Sequence, residues 1–102
     1  MNNLVGKKVI VRATVAGVHA GTVKFFDPGT QTITLANARR LWRFFTRDKS
    51  GSVSDIALNG LVSDKENQLG ATLPSVTIVN PSGLEIAEMT KKAAKSIEEY
   101  PA

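Results

Sequence analysis

The chain of 102 residues contains no cysteine. Disulfides, thiolate catalysis and cysteine-ligated zinc are therefore excluded. Histidine occurs once, at His19. A lone imidazole with no cysteine and no nearby carboxylate pair makes a poor metal site, and no metal is expected. The phosphate loop, the glycine-rich dinucleotide turn and the Gly-x-Ser-x-Gly elbow are all missing from the sequence. Glu85 and Glu88, read on a strand, fall on opposite faces and do not form an acid–base pair. Neither catalysis nor a cofactor is expected. Apolar runs fall far short of the roughly 20 residues of a membrane helix. The N-terminal MNNLVGKKV has no apolar core of signal-peptide length. The expectation is a soluble intracellular protein without a membrane partner.

What is present is ordinary globular composition, 42% apolar and 22% charged. The length implies one domain, residues 1–102. The net charge of +4 is uneven. Residues 1–51 carry nine Lys/Arg against two Asp, a net +7, and residues 52–102 carry four Lys against seven Asp/Glu, a net −3. A basic half attracts phosphates, nucleic acid or an acidic protein face, unless the two halves neutralise each other within the fold.

Taken in order, Lys8 to Val15 alternates as a strand with one buried face: Val9, Val11, Ala13 and Val15 inside, Ile10, Arg12 and Thr14 outside. Ala16-Gly17 is a tight turn. Val18 to Phe26 is a second strand, and its Gly21 signals a bulge, a bend or a close backbone approach. Asp27-Pro28-Gly29-Thr30 is a turn in which Gly29 takes the positive φ. A third strand starts at Thr32. Thr46 to Ser52 reads as a polar loop, and Ser52 to Gly60 as a short helix capped by Ser52 or Ser54. Val62 to Leu73 has no period and reads as an exposed excursion. Ser75–Val79 and Leu84–Glu88 are strands around the turn Asn80–Gly83. Thr90 caps a closing helix, stopped by Pro101, whose apolar stripe is Ala94 and Ile97. The fold class is α+β: a small bent antiparallel sheet, a meander with barrel-like character, plus a short internal helix and a C-terminal helix.

The stretch from Ile33 to Phe45, ITLANARRLWRFF, holds the only Trp, two of the four Phe and three arginines. Strict alternation gives its first half a clear inside, Ile33 and Leu35. Its second half has large apolar groups on both faces. Either a bulge near Asn37-Ala38 shifts the register, or both faces are covered. Arg39, Arg40 and Arg43 interleave with Trp42, Phe44 and Phe45. Guanidinium groups bind phosphates and aromatic rings stack on bases, yet Arg and Trp are also enriched at protein interfaces. The candidate ligand-binding set is Arg39, Arg40, Trp42 and Arg43, joined by Arg12 and His19, which lie near each other if the first two strands pair. The candidate interface set is Leu41, Trp42, Phe44 and Phe45. A chain this short cannot easily hide both faces of such a strand, so a homo-oligomer is expected.

The runs KKVIVRATVAGVHAGTV, LANARRLWRFF and SVSDIALNG resemble a family of small tailed-bacteriophage proteins in which no motif carries a known catalytic role. The resemblance covers most of the chain, and it departs after Trp42, where Arg43 precedes the aromatic pair. It implies a small phage protein in one of three roles. These are counter-defence in the host cytoplasm, by occupying a host protein or sequestering a nucleotide signal; nucleic-acid binding; and decoration of the virion against other virion proteins. The basic aromatic stretch directs the expectation toward counter-defence and an anionic, phosphate-bearing ligand.

Overall fold

A computed structural model describes residues 4–14, 16–45, 52–62 and 66–101. Six strands and two helices follow in the order β1 (Lys8–Ala13), β2 (Gly17–Asp27), β3 (Thr32–Arg43), α1 (Val53–Asn59), β4 (Gln68–Leu69), β5 (Leu73–Val79), β6 (Glu85–Glu88) and α2 (Lys91–Glu98). This is the expected α+β class. The strands form one antiparallel sheet in the order β4-β3-β2-β1-β6, with β5 also pairing β3. The first three strands are the expected meander. The turn at Asn80–Gly83 links β5, on the β3 side, to β6, on the β1 side, so it draws the two sides of a strongly bent sheet together without closing a barrel. β4 lies in the stretch read as excursion. Two residues with no alternation to display leave no periodic signal.

β1 corrects the expectation of one buried face. Val9, Val11 and Ala13 join a core inside the bend with Val23, Ile33, Leu35, Ala38 and Ile78. Ile10, on the other side, is equally buried, in a second core with Ala20, Leu41, Val53, Ile56, Ala57, Leu69 and Ile97. The two helices cover that second side, which is how one short chain hides both faces. Ser52 caps α1 by accepting from the Asp55 N–H, and Thr90 caps α2 by accepting from the Ala93 N–H. α2 has no acidic residue in its first turn and depends on burying Ala93, Ala94 and Ile97.

The bulge expected in β3 is present. Ala20 pairs Arg39 and Thr22 pairs Ala36, so Asn37-Ala38 is the widened side, opposite Gly21. Asn37 adopts φ +51°, left-handed backbone that Asn tolerates. A side chain at Gly21 would meet the Ala36 carbonyl oxygen and the Leu35 Cβ at 3.0 Å each. The bulge flips the register: Ile33, Leu35 and Ala38 face the inner core, whereas Leu41 faces the helices. The Pro28-Gly29 turn differs from expectation. Gln31, not Gly29, takes the positive φ, at +52°. Its side chain steadies the turn, donating to the Pro28 carbonyl and accepting from the Leu84 N–H. The loop at Thr46 to Gly51 and residue Val15 lie outside the described residues. No helix among the described residues is long and apolar enough to cross a membrane.

Candidate functional site

The arginines of β3 separate by face and by partner. Arg39 and Arg40 are successive residues of a strand, so one bulge settles which faces the helices. Arg39 pairs Ala20 on the helix side and is only 4% exposed. Its Nε donates to the Gly70 carbonyl at 2.7 Å, and its Nη1 donates to the carbonyls of Ile97 at 2.7 Å and Tyr100 at 2.5 Å. The guanidinium therefore caps the C-terminus of α2 and holds the segment after β4. Burial pushes its pKa below the ordinary value. Among the described residues no carboxylate forms an ion pair with it.

Arg40 faces the other way. Its guanidinium carbon lies 3.7 Å from the centre of the Trp42 ring, a close cation–π stack. Its Nη2 reaches over the backbone of Gly17, where an added Cβ would stand 2.9 Å away. Gly17, at φ +83°, serves both the turn and this approach. Trp42 is 62% exposed. The ladder explains why: Leu41 pairs Leu69 and Arg43 pairs Gln68, so Trp42 is the extra residue of a second bulge. Trp42 also lines a groove together with Asn67, Gln68, Leu69, Tyr100 and Pro101. Arg43 approaches Phe45 at 5.2 Å to the ring centre.

His19 is the cross-strand partner of Arg40 and only 8% exposed. Its Nε2 lies 2.9 Å from the Ala16 carbonyl oxygen, a contact in which the ring N–H donates. Burial lowers its pKa below 6.5, the carbonyl contact raises it, and the Arg40 charge lowers it. Arg12 does not join this group. It pairs Val18, which packs on the helix-side core, and it makes an ion pair with Glu85 at 3.8 Å. The strands do pair as expected, but a one-residue offset puts Arg12 and His19 on opposite faces. The ligand set thus resolves into Arg40, Trp42 and His19 together, Arg43 beside Phe45, and Arg39 and Arg12 elsewhere.

The interface set also divides. Leu41 is 3% exposed and buried within its own chain, Phe44 packs at the edge of the helix-side core, and Phe45 is half-buried. Trp42 alone stands clear. Sequence reasoning did not reach Asn67 and Tyr100. Asn67 accepts from the Phe45 N–H and donates to the Val62 carbonyl; the Tyr100 hydroxyl accepts from the Asn67 N–H and donates to its carbonyl. No signal in the sequence marks either residue, because the burial of Asn67 and its bonds to Phe45 and Tyr100 exist only in the fold.

All three ion pairs among the described residues, Lys7–Glu88, Lys8–Glu98 and Arg12–Glu85, join the basic half to the acidic half. Neutralisation within the fold thus accounts for the cations of β1 and its approach. Lys24, Arg39, Arg40 and Arg43 have no carboxylate partner among the described residues. Lys91, Lys92 and Lys95 of α2 are likewise without one among the described residues, so the uncompensated charge lies on β3 and on α2. No group of three or more potential metal ligands occurs among the described residues.

No curated protein and no solved structure matches the chain. A family described as a domain of unknown function, DUF6948, matches residues 6–97, nearly the whole of the described fold, and the chain belongs to that family.

Proposed function

We propose that this is a non-enzymatic phage accessory protein that binds a phosphate-bearing ligand, such as a nucleotide signal, at the Arg40–Trp42 surface. In this reading it acts in counter-defence in the host cytoplasm by sequestering that ligand. The observation that carries it is the stack itself: a guanidinium with no carboxylate partner among the described residues, 3.7 Å over an exposed indole, beside a groove that Trp42 and Tyr100 line. A phosphate would take the Arg40 donors, and a base would stack on the outer face of Trp42. Arg43 extends the positive field along the same strand end. The phage context rests on the resemblance of the KVIVR and NARRLW runs.

Trp42 is the only Trp, so its fluorescence reports directly on the site. Mono- and dinucleotides should quench it saturably, and Arg40→Ala should weaken binding about tenfold or more. A polymer contacts several phosphates. Affinity for DNA or RNA alone, with a log–log salt slope of about −5 or steeper, would transfer the surface to a nucleic-acid module. Recovery of the protein in purified virions without nucleotide quenching would assign it to the virion.

A further inference from the structure

A cavity lies on the face of β3 opposite the Arg40–Trp42 stack. It has a volume of about 300 Å³ and is lined by Lys8, Thr22, Asn37, Arg39, Thr72 and Glu98, with Met89, Ala94 and Ile97 as its apolar wall. We propose that this cavity binds a small phosphomonoester, with the phosphoryl group on Arg39 and the organic part against Met89, Ala94 and Ile97.

Three observations carry the assignment. Arg39 is only 4% exposed and has only neutral carbonyl partners, with no carboxylate at ion-pair distance among the described residues. Charges held that way are costly unless paired, and a bound anion would pair this one. Next, Nε and Nη1 are occupied, whereas Nη2 has no hydrogen-bond partner among the described residues. No side-chain nitrogen there is both fully buried and unsatisfied, so Nη2 retains some exposed surface, and Arg39 lines the cavity. Third, the lining offers the further donors that a phosphoryl group takes: the Lys8 ammonium, the Asn37 amide and the hydroxyls of Thr22 and Thr72. The bulge and left-handed Asn37 widen β3 at the cavity wall, which regular pairing would not do.

Lys8 is held by Glu98 at 2.6 Å. Glu98 thus competes with the ligand for Lys8 and places a negative charge at the cavity. Its removal should favour an incoming anion.

The test is calorimetric titration of the native protein with inorganic phosphate and with glycerol phosphate in chloride buffer. Both should bind, glycerol phosphate more tightly. Glu98→Gln, at an exposed position, should tighten phosphate binding about fivefold. Arg39→Gln should weaken it about tenfold or more. Because Arg39 also holds α2, Thr22→Val and Thr72→Val provide the second arm, each expected to weaken binding about threefold or more with an unchanged unfolding midpoint. Binding that Glu98→Gln tightens and the threonine variants weaken belongs to this cavity and not to the nucleotide surface, and Lys24→Ala, which removes an exposed cation outside the cavity, should leave it unchanged. Absence of phosphate binding to the wild type overturns the proposal. So does binding abolished by Arg40→Ala but indifferent to Glu98→Gln and to both threonine variants.

Discussion

At the scale of single residues, neighbours on one strand have opposite physics. Arg39 is enclosed and bonded to carbonyls, whereas Arg40 lies open over an indole. Their adjacency in the sequence shows nothing of this, because the face each takes depends on where a bulge falls. The presence of a bulge could be read from Asn37 and Gly21; the destination of each guanidinium could not. His19 leads to a prediction about acid stability. Its folded pKa lies below the ordinary 6.5 of the unfolded chain. Folded His19 therefore resists a proton that the unfolded chain accepts. Its neutral form contributes full stability above about pH 6.5, and stability falls as pH drops from there toward the folded pKa. Urea midpoints should decline between about pH 7.5 and 5.5, and His19→Gln should flatten that decline. An identical decline in the variant would place the sensitive group elsewhere.

At the scale of elements, β3 holds the fold together and carries both candidate sites. It pairs β2, β4 and β5, and its two bulges set the register of each half. Gly21 permits the first bulge by leaving room for the backbone opposite. Gly21→Ala should cost about 1–3 kcal/mol in denaturant unfolding, through contact with the Ala36 carbonyl and Leu35. Asn37→Gly should be close to neutral, because glycine accepts φ +51° at no steric cost. A neutral Gly21→Ala would mean the two strands are free to separate there. Helix positions and caps were legible because Ser52 and Thr90 act locally. β4 and the tie between Asn67 and Tyr100 were not, since both exist only through partners distant in the chain.

At the scale of the whole molecule, the surface left for self-association is not the one that strict alternation of β3 implies. The helices cover the second face of β3, so Leu41 needs no partner subunit. What stays exposed among the described residues is Trp42, together with Val5, Phe25, Leu58, Leu73 and Val79. Leu73 and Val79 belong to β5, which pairs only β3 among the described strands. An apolar sheet edge of this kind invites another strand. A homo-oligomer through β5 and Trp42 is therefore expected. Light scattering at low micromolar concentration should give a mass above the 10.9 kDa of one chain. Val79→Lys should dissociate it. Ile97→Ala should leave the mass alone and lower stability by about 2–5 kcal/mol. A clean monomer in the wild type would remove the proposal.

The pairing of β1 with β6 also orders events in time. The strand that completes one side of β1, and the α2 helix over Ile10, both come from residues after 84. During synthesis the first three strands leave the ribosome long before those segments exist. Ribosomes add about 5–20 residues per second, so the meander waits for seconds with apolar surface on both sides uncovered. A chaperone that shields apolar strands would meet this protein as a nascent chain, and folding would finish only after residues 85–98 emerge.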